Sequence, residues 1–158
     1  MKTRQSGMPD QQMWETFFDP DTILDKLGIK NIVGNIADLA CGYGTFTIPV
    51  ARRTKGLVYA IDVDSDMIRI TQEKLRQNKL KNVILLQKDF VADGIGLADS
   101  CCDRVMLFNI LHSEEPLKIL KEAKRILRPK GKVSIIHWNY DPTTPRGPSL
   151  DIRPKSEQ

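Results

Sequence analysis

No stretch of this chain approaches the roughly twenty consecutive apolar residues that a bilayer-spanning helix needs, so no membrane span is expected. Met1 to Asp10 is polar and has no apolar core of the kind a secretory leader requires, so no signal peptide is expected either, and the expected location is cytoplasmic. Cysteine is scarce. An odd count of three, with Cys101 and Cys102 adjacent, fits reduced thiols rather than a disulfide framework. No set of His, Cys and acidic residues has the spacing of a metal site, so no metal is expected. Aromatic residues make up only 6% of the chain and do not interleave with basic ones, which removes the stacking platform that single-stranded nucleic acid requires. The net charge of +4 does not reverse that reading. Its basic residues crowd at Lys118, Lys121, Lys124, Arg125, Arg128, Lys130 and Lys132, beside an apolar stripe of Leu117, Leu120, Ala123 and Leu127, as on the solvated face of an amphipathic helix. Nucleic acid is therefore not expected as a partner. Composition otherwise describes one globular domain: 158 residues, 41% hydrophobic and 28% charged, are enough to bury a core.

What the chain does contain is a strand-turn-helix pattern over Ile36 to Val50, IADLACGYGTFTIPV, with the acidic Asp62 about twenty residues on in VYAIDVD. Ile36 to Ala40 is a short apolar run, Gly42 and Gly44 break it, and a helix resumes from Thr45. Glycine lets such a turn reach positive φ and approach a ligand closely, while amides at the helix start point toward it. If Gly44 or Thr45 is the cap, Pro49 falls within or just beyond the first four helical positions, whose N–H groups have no intrahelical partner. The dinucleotide fingerprint G-x-G-x-x-G, aligned on Gly42 and Gly44, requires glycine at position 47 and meets Thr47, which disfavours an NAD(P)-dependent oxidoreductase.

Strand and helix signals alternate along the chain. Strands are expected near Ile36 to Ala40, Leu57 to Ile61, Val83 to Gln87, Arg104 to Phe108 and Lys132 to His137. One intervening helix starts after an Asp64/Ser65 cap, buries Met67, Thr71 and Leu75, and ends near Asn78. Right-handed crossovers turn this alternation into an α/β fold, a doubly wound parallel sheet. Asp38, Asp62 and Asp89 each close an apolar strand, which points to a shared site at the carboxyl edge of that sheet. Asp38 also reads as a strand-end acid capping the following turn, and Asp64 and Ser65 as N-caps rather than ligands. Cys41 reads as a small buried residue of the turn.

The pattern Asp38-x-Ala40-x-Gly42-x-Gly44 resembles the acidic-x-Gly-x-Gly-x-Gly signature of class I S-adenosylmethionine (SAM)-dependent methyltransferases, with Ala40 in place of the first glycine and small size retained. VYAIDVDSDMI, QKDFVADGIGLADSCCDRVMLFNILH and ILRPKGKVSIIHW follow in the family's order, so the likeness runs from Phe17 to Trp138. It is nearest to the small stand-alone enzymes similar to ubiquinone/menaquinone C-methyltransferases. The resemblance implies a Rossmann-like sheet of strand order 3-2-1-4-5 and S-adenosyl-L-methionine as cofactor. It implies that Asp62 accepts from both ribose hydroxyls and that Val63 packs on adenine. Asp89 would take the adenine amino group and the Phe90 amide the ring. Asp38 would help hold the amino group of the methionine end, with backbone at Ala40 and Asn109 beside it. Gly42 and Gly44 would form the turn.

The acceptor is expected to be a small molecule meeting the methyl group near Asn109-Ile110-Leu111-His112. That segment lacks the Asn-Pro-Pro-aromatic signature of amino-group methylation, and His112 is the candidate general base if the acceptor is a hydroxyl or an acidic carbon. The alternative is that His112 caps a helix starting near Glu114 or packs in a loop. His137 ends the fifth strand and could face the site from the other side, and Glu114 and Glu115 read as first-turn acids. The division expected is a loose tail at 1–9, a helical lid at 10–30, a SAM-binding core at 31–140 and a Pro-rich extension at 141–158. The family's sixth and seventh strands have no counterpart, because Pro142, Pro145 and Pro148 prevent an interior strand. An open fifth-strand edge follows, at which a second copy could pair to form a homodimer; the chain is then either a natural minimal core or a truncated product of a longer protein, and the alternative to an active enzyme is a non-catalytic SAM-binding or dimerising remnant.

Overall fold

The structure is a computed structural model describing residues 8–144, 147–153 and 155; residues 1–7 of the tail expected at 1–9, and the prolines Pro145 and Pro154, lie outside the described residues. Five parallel strands form one sheet in the order β3-β2-β1-β4-β5: β1 (Ile36–Leu39), β2 (Val58–Asp62), β3 (Val83–Gln87), β4 (Cys102–Phe108) and β5 (Leu127–Ile136). This is the order that the resemblance implied, with the reversal between β1 and β4 where open α/β sheets place ligands. In register, Asp38 sits between Ala60 of β2 and Met106 of β4, and Leu39 between Ile61 and Leu107.

Both faces of the sheet are covered, which explains the nearly continuous apolar strands. Strand alternation sends Ala37, Leu39, Val105 and Leu107 toward α6 (Pro116–Ile126), and Ile36, Val58, Met106 and Phe108 toward α2 (Pro20–Lys26) and α3 (Thr47–Ala51). Burial of each of these side chains larger than alanine contributes about 2 kcal/mol. The α6 stripe differs from the expected one. Ile119, Ala123 and Ile126 are its buried line, while Leu117 is 70% exposed, because the helix starts at Pro116 and presents a face one residue round from Leu117. Arg125 on the same helix pairs with Asp99 and with Glu122, whose carboxyl it holds down at about 2.

The α4 helix (Ser65–Gln77) forms where expected: Asp64 caps it by accepting from the Asp66 N–H, and Met67, Thr71 and Leu75 are its buried residues. At α3 the cap is Phe46 rather than Gly44 or Thr45. Pro49 is then the third helical residue, still among the positions whose N–H needs no partner. On β5, Leu127 pairs with Cys102, after which the register jumps so that Arg104 pairs with Lys132. The intervening Arg-Pro-Lys-Gly bulges out, with Lys130 at φ +68°, so regular pairing resumes at the residue expected to start the strand. Among the described residues β5 pairs only with β4, so its outer edge is open. Pro129 is tolerated there.

The turn after β1 is locked from two sides. Thr71 of α4 donates its hydroxyl to the Gly42 carbonyl at 2.9 Å, and Lys74 donates to the Tyr43 carbonyl at 2.9 Å. Gly44, at φ +71°, lies against Thr71 so closely that a Cβ would come within 2.8 Å of its methyl group. Gly44→Ala therefore combines left-handed strain with a clash into a buried side chain. It is expected to lower stability by about 2–3 kcal/mol, read as a lower urea midpoint at unchanged slope.

Candidate functional site

At the carboxyl ends of β1 to β4 lies a cavity of about 790 Å³, within the range of small-ligand sites. Its floor comes from strand ends: Asp38, Ala40 and Gly42 after β1, Asp62 and Val63 after β2, Asp89 and Phe90 after β3, and Asn109 after β4. The residues the resemblance singled out are thus brought to one wall, with one exception. Gly44 does not reach the cavity; its place is behind the wall, against Thr71.

The turn's geometry explains its residue types. Ala40 at φ +62° and Asn109 at φ +56° hold left-handed backbone at the ends of β1 and β4. A non-glycine residue pays about 1–2 kcal/mol for this, least when it is small or, like Asn, locally hydrogen-bonding. Asn109 is fixed by its N–H, which donates to the Ile136 carbonyl at 2.7 Å. The Asp62 carboxylate accepts from the Gly42 N–H at 2.8 Å with one oxygen and from the Asp64 N–H at 3.0 Å with the other. Asp38 accepts from the Thr47 hydroxyl at 2.6 Å, so it does tie the strand end to α3 as a capping acid would. Asp89 accepts from Val91 and Ala92 amides and caps the short α5 (Phe90–Asp93).

Burial dominates the electrostatics. Asp38 and Asp62 are each only 2% exposed. Burial, opposed by the Thr47 hydrogen bond and reinforced by the neighbouring Asp62, pushes the Asp38 carboxyl up to about 7. Asp62 is also raised by burial, against the pull of the Asp64 and Gly42 amides. A pair of acids this reluctant to ionise suits a cation, which would supply the charge that water cannot.

Several polar atoms around this wall are enclosed and have no partner: Thr45 Oγ1, Asn109 Nδ2, His112 Nδ1 and Ser113 Oγ, with His137 Nε2 beyond them. Unpaired buried donors and acceptors cost about 1–3 kcal/mol each, so their gathering at a cavity marks a place where a ligand completes the hydrogen bonding. Thr45 and Ser113 were not singled out from sequence, although a hydroxyl directly after the glycine turn is a legible hint. His112 lines the cavity. It does not cap α6, whose N-cap is Glu115 with no side-chain hydrogen bond, and α6 has no acid in its first turn, so Glu114 and Glu115 precede the helix rather than begin it.

Over the cavity lie α1 (Gln11–Glu15) and the segment leading to α2, contributing Met13, Trp14, Thr16 and Phe17 to the wall. Rings continue inward, with Trp14–Phe18 centroids 4.9 Å apart, Phe18–Phe46 5.5 Å and Phe46–Phe108 4.7 Å. Six of the chain's ten aromatic residues join this run, since Phe17 also meets Trp138 at 6.3 Å. The far wall, Trp138 with Gly147 and Pro148, could not be found from sequence. Arg153, 6% exposed, holds it by donating to the carbonyls of Pro148 at 2.8 Å and Asp141 at 3.2 Å while lying over the Trp138 ring.

Residues 36–131 match the methyltransferase-domain family. The chain is 34% identical over 125 residues to a demethylmenaquinone methyltransferase of Lactobacillus johnsonii, covering 76% of this chain and 49% of that protein. A protein of the same name from Lactococcus lactis is 30% identical over 114 residues, 70% of this chain and 44% of that one. The chain thus spans about half the length of the curated relatives it matches. Among solved structures, a SAM-dependent methyltransferase from Aquifex aeolicus superposes with a TM-score of 0.78 at 31% identity, covering 92% of this chain and 77% of that one. Precorrin 8w decarboxylase from Methanobacterium thermoautotrophicum, at 24% identity and a TM-score of 0.62 over 82% of this chain and 63% of that one, shares the fold alone.

The buried acid generates a pH signature. An acid raised from 3.8 to about 7 on folding holds its proton more tightly folded than unfolded. Ligand-free stability should therefore decline as pH rises from about 4 to about 7 and level off above. Asp38→Asn removes this component: the variant should unfold at a higher temperature than the parent at pH 8, a gain of about 4 kcal/mol, and at nearly the same temperature at pH 4. Thermal unfolding at both pH values, without ligand, reads the difference.

Proposed function

Because the chain belongs to the methyltransferase-domain family of class I, SAM-dependent enzymes, we propose that it transfers a methyl group from S-adenosylmethionine to a small-molecule acceptor. The observation that carries this reading is the row of acids at three adjacent strand ends, two of them buried, around one cavity. A ligand bearing an ammonium, a ribose diol and an adenine offers a partner to each. Asp38, with Ala40 and Asn109 beside it, would hold the methionine end. Gly42 would supply close-approaching backbone, with Gly44 shaping that turn from behind. Asp62 would take the ribose hydroxyls and Val63 the adenine face, and Asp89 with the Phe90 amide would take the adenine edge. SAM supplies an activated methyl group whose sulfur leaves as a neutral thioether, so the protein's task is positioning and exclusion of water. The aromatic cover from Trp14, Phe17 and Trp138 supports the second task.

The division proposed is a tail at 1–9, a lid at 10–30, a core at 31–140 and an extension at 141–158. For the acceptor, the apolar far side of the cavity and the name shared by the relatives support an acceptor like demethylmenaquinone as the first to try. No helix among the described residues is long and apolar enough to cross a membrane, in keeping with the cytoplasmic location proposed. At the open β5 edge, Val133 and Ile135 are 38% and 45% exposed and support pairing with a second copy. Arg128, Lys130 and Lys132 on the same strand oppose close approach of two like-charged edges. A dimer through this edge would accordingly strengthen with salt, which size-exclusion chromatography at low and high ionic strength reads directly.

Isothermal titration with S-adenosylhomocysteine tests the cofactor, with NADH as comparator: micromolar binding of the first alone is expected, and binding of NADH alone would point to the oxidoreductase reading. Binding of neither by a folded chain would point to the remnant reading. Asp62→Ala should weaken S-adenosylhomocysteine binding by about 1–3 kcal/mol, since the ribose loses a charged acceptor and the Gly42 amide loses its anchor. Unchanged affinity would refute the ribose assignment.

A further inference from the structure

The chain has two histidines, and folding brings both to one place. His112 follows β4, His137 follows β5, and their rings meet edge-on with centroids 5.7 Å apart. His137 Nδ1 lies 3.2 Å from the Trp138 carbonyl. An acceptor there fixes the proton on Nδ1, which makes Nε2 a hydrogen-bond acceptor. Nε2 is enclosed and has no partner, and so is His112 Nδ1. One group needs a donor and the other can be one. With Nδ1 of His112 enclosed, Nε2 is the nitrogen that the cavity can reach.

We infer that His112 and His137 act as a unit: a small turn of the facing rings pairs the two orphaned nitrogens, and His137 Nε2 then draws the His112 proton to Nδ1 so that the bare Nε2 of His112 faces the acceptor as a proton-accepting base. This deepens the methyl-transfer reading and rests on it: the acceptor class is one whose nucleophilic atom bears a proton that must leave, a phenol, an enol or a carbon acid. In the step, the X–H bond of the acceptor breaks and its proton passes to His112 Nε2. The electron pair of X forms the bond to the methyl carbon, and the pair of the methyl–sulfur bond stays on sulfur. His112 is the catalytic residue; His137 is a positioning residue.

Two features make the arrangement fit for this task. Burial and the facing His137 hold the His112 pKa below 6.5, so the ring is neutral and able to accept at neutral pH. His112 Nδ1 and His137 Nε2 are both enclosed, so water does not compete for their pairing. The other ionisable groups of the cavity wall are Asp38, Cys41, Asp62, Lys88, Asp89 and Glu114. Of the groups around it, His137 is the one that bears on the His112 charge.

With only two imidazoles, nitrogen-15 NMR of the full chain reads each ring separately. Expected in the parent is the Nδ1–H tautomer at His112, and in His137→Phe, which keeps the ring's bulk, the Nε2–H tautomer. His137→Gln, whose amide oxygen can accept in place of Nε2, should restore the Nδ1–H tautomer. A parent His112 in the Nε2–H form, or a tautomer indifferent to His137→Phe, overturns the unit even if that variant folds poorly, since the parent and the Gln variant are each decisive. S-adenosylhomocysteine titration of the same samples keeps the two readings apart: intact binding with the wrong tautomer refutes the histidine unit alone, and absent binding refutes methyl transfer. Methyl-labelled SAM offered with a panel of phenols, enols and primary amines should label only the first two, with His112→Gln slowing transfer by about 100-fold or more. Labelling of amines, or transfer indifferent to His112→Gln, overturns the acceptor class.

Discussion

The Asp62 carboxylate is the constraint on which the site is built. It sits at the end of β2, 2% exposed, and spends its oxygens on two backbone amides, Gly42 after β1 and Asp64 ahead of α4. Those bonds join the two strand ends that form the cavity floor. Thr71 then closes the arrangement from α4 by donating to the Gly42 carbonyl, so both backbone polar groups of this one residue are held by neighbouring elements. Such a turn cannot drift when a ligand arrives, and a wall that is already ordered loses little entropy on binding.

An ordered wall of buried acids carries a cost that a ligand can relieve. Asp38 has given up water for a hydroxyl and an apolar sheet, and its raised pKa measures how poorly the folded chain alone stabilises its charge. The unpartnered atoms of Thr45, Asn109 and Ser113 carry the same message in uncharged form. Unpaired polar groups around the cavity keep their positions because the packed sheet and helices behind them fix the backbone. Ile36, Leu39, Ile61 and Leu107, all fully buried, provide that backing.

The opposite side of the cavity follows a different logic. Trp14, Phe17 and Trp138 bring apolar surface rather than polar groups. They are held by ring contacts, by Tyr43 donating to the Pro9 carbonyl, by the Lys74–Glu15 pair and by Arg153 beneath the last turn. In the proposed methyl transfer, a polar, rigid floor with an apolar cover would divide the work between holding the donor and excluding water from the acceptor.

Much of this was legible in the residues themselves. Apolar runs ended by Asp38, Asp62 and Asp89 predicted strand ends converging on a site, because a side chain at the carboxyl edge of a parallel sheet is placed by local pattern alone. Asp64 as a cap and Met67, Thr71 and Leu75 as a buried line followed from helical spacing. The resemblance added the strand order, which spacing by itself left open. Other features depended on the third dimension. Whether Leu117 or Ile119 faced the sheet turned on where α6 began. That Gly44 serves α4 rather than the cavity, that Arg153 supports Trp138, and that His112 meets His137 are contacts between segments remote in sequence. Periodicity reports which face of an element is apolar and which residue ends it. Which side chains meet across the ends of β4 and β5 is set by sheet register, by the bulge after Leu127 and by helix packing, and these are decided only when the whole chain closes on its core.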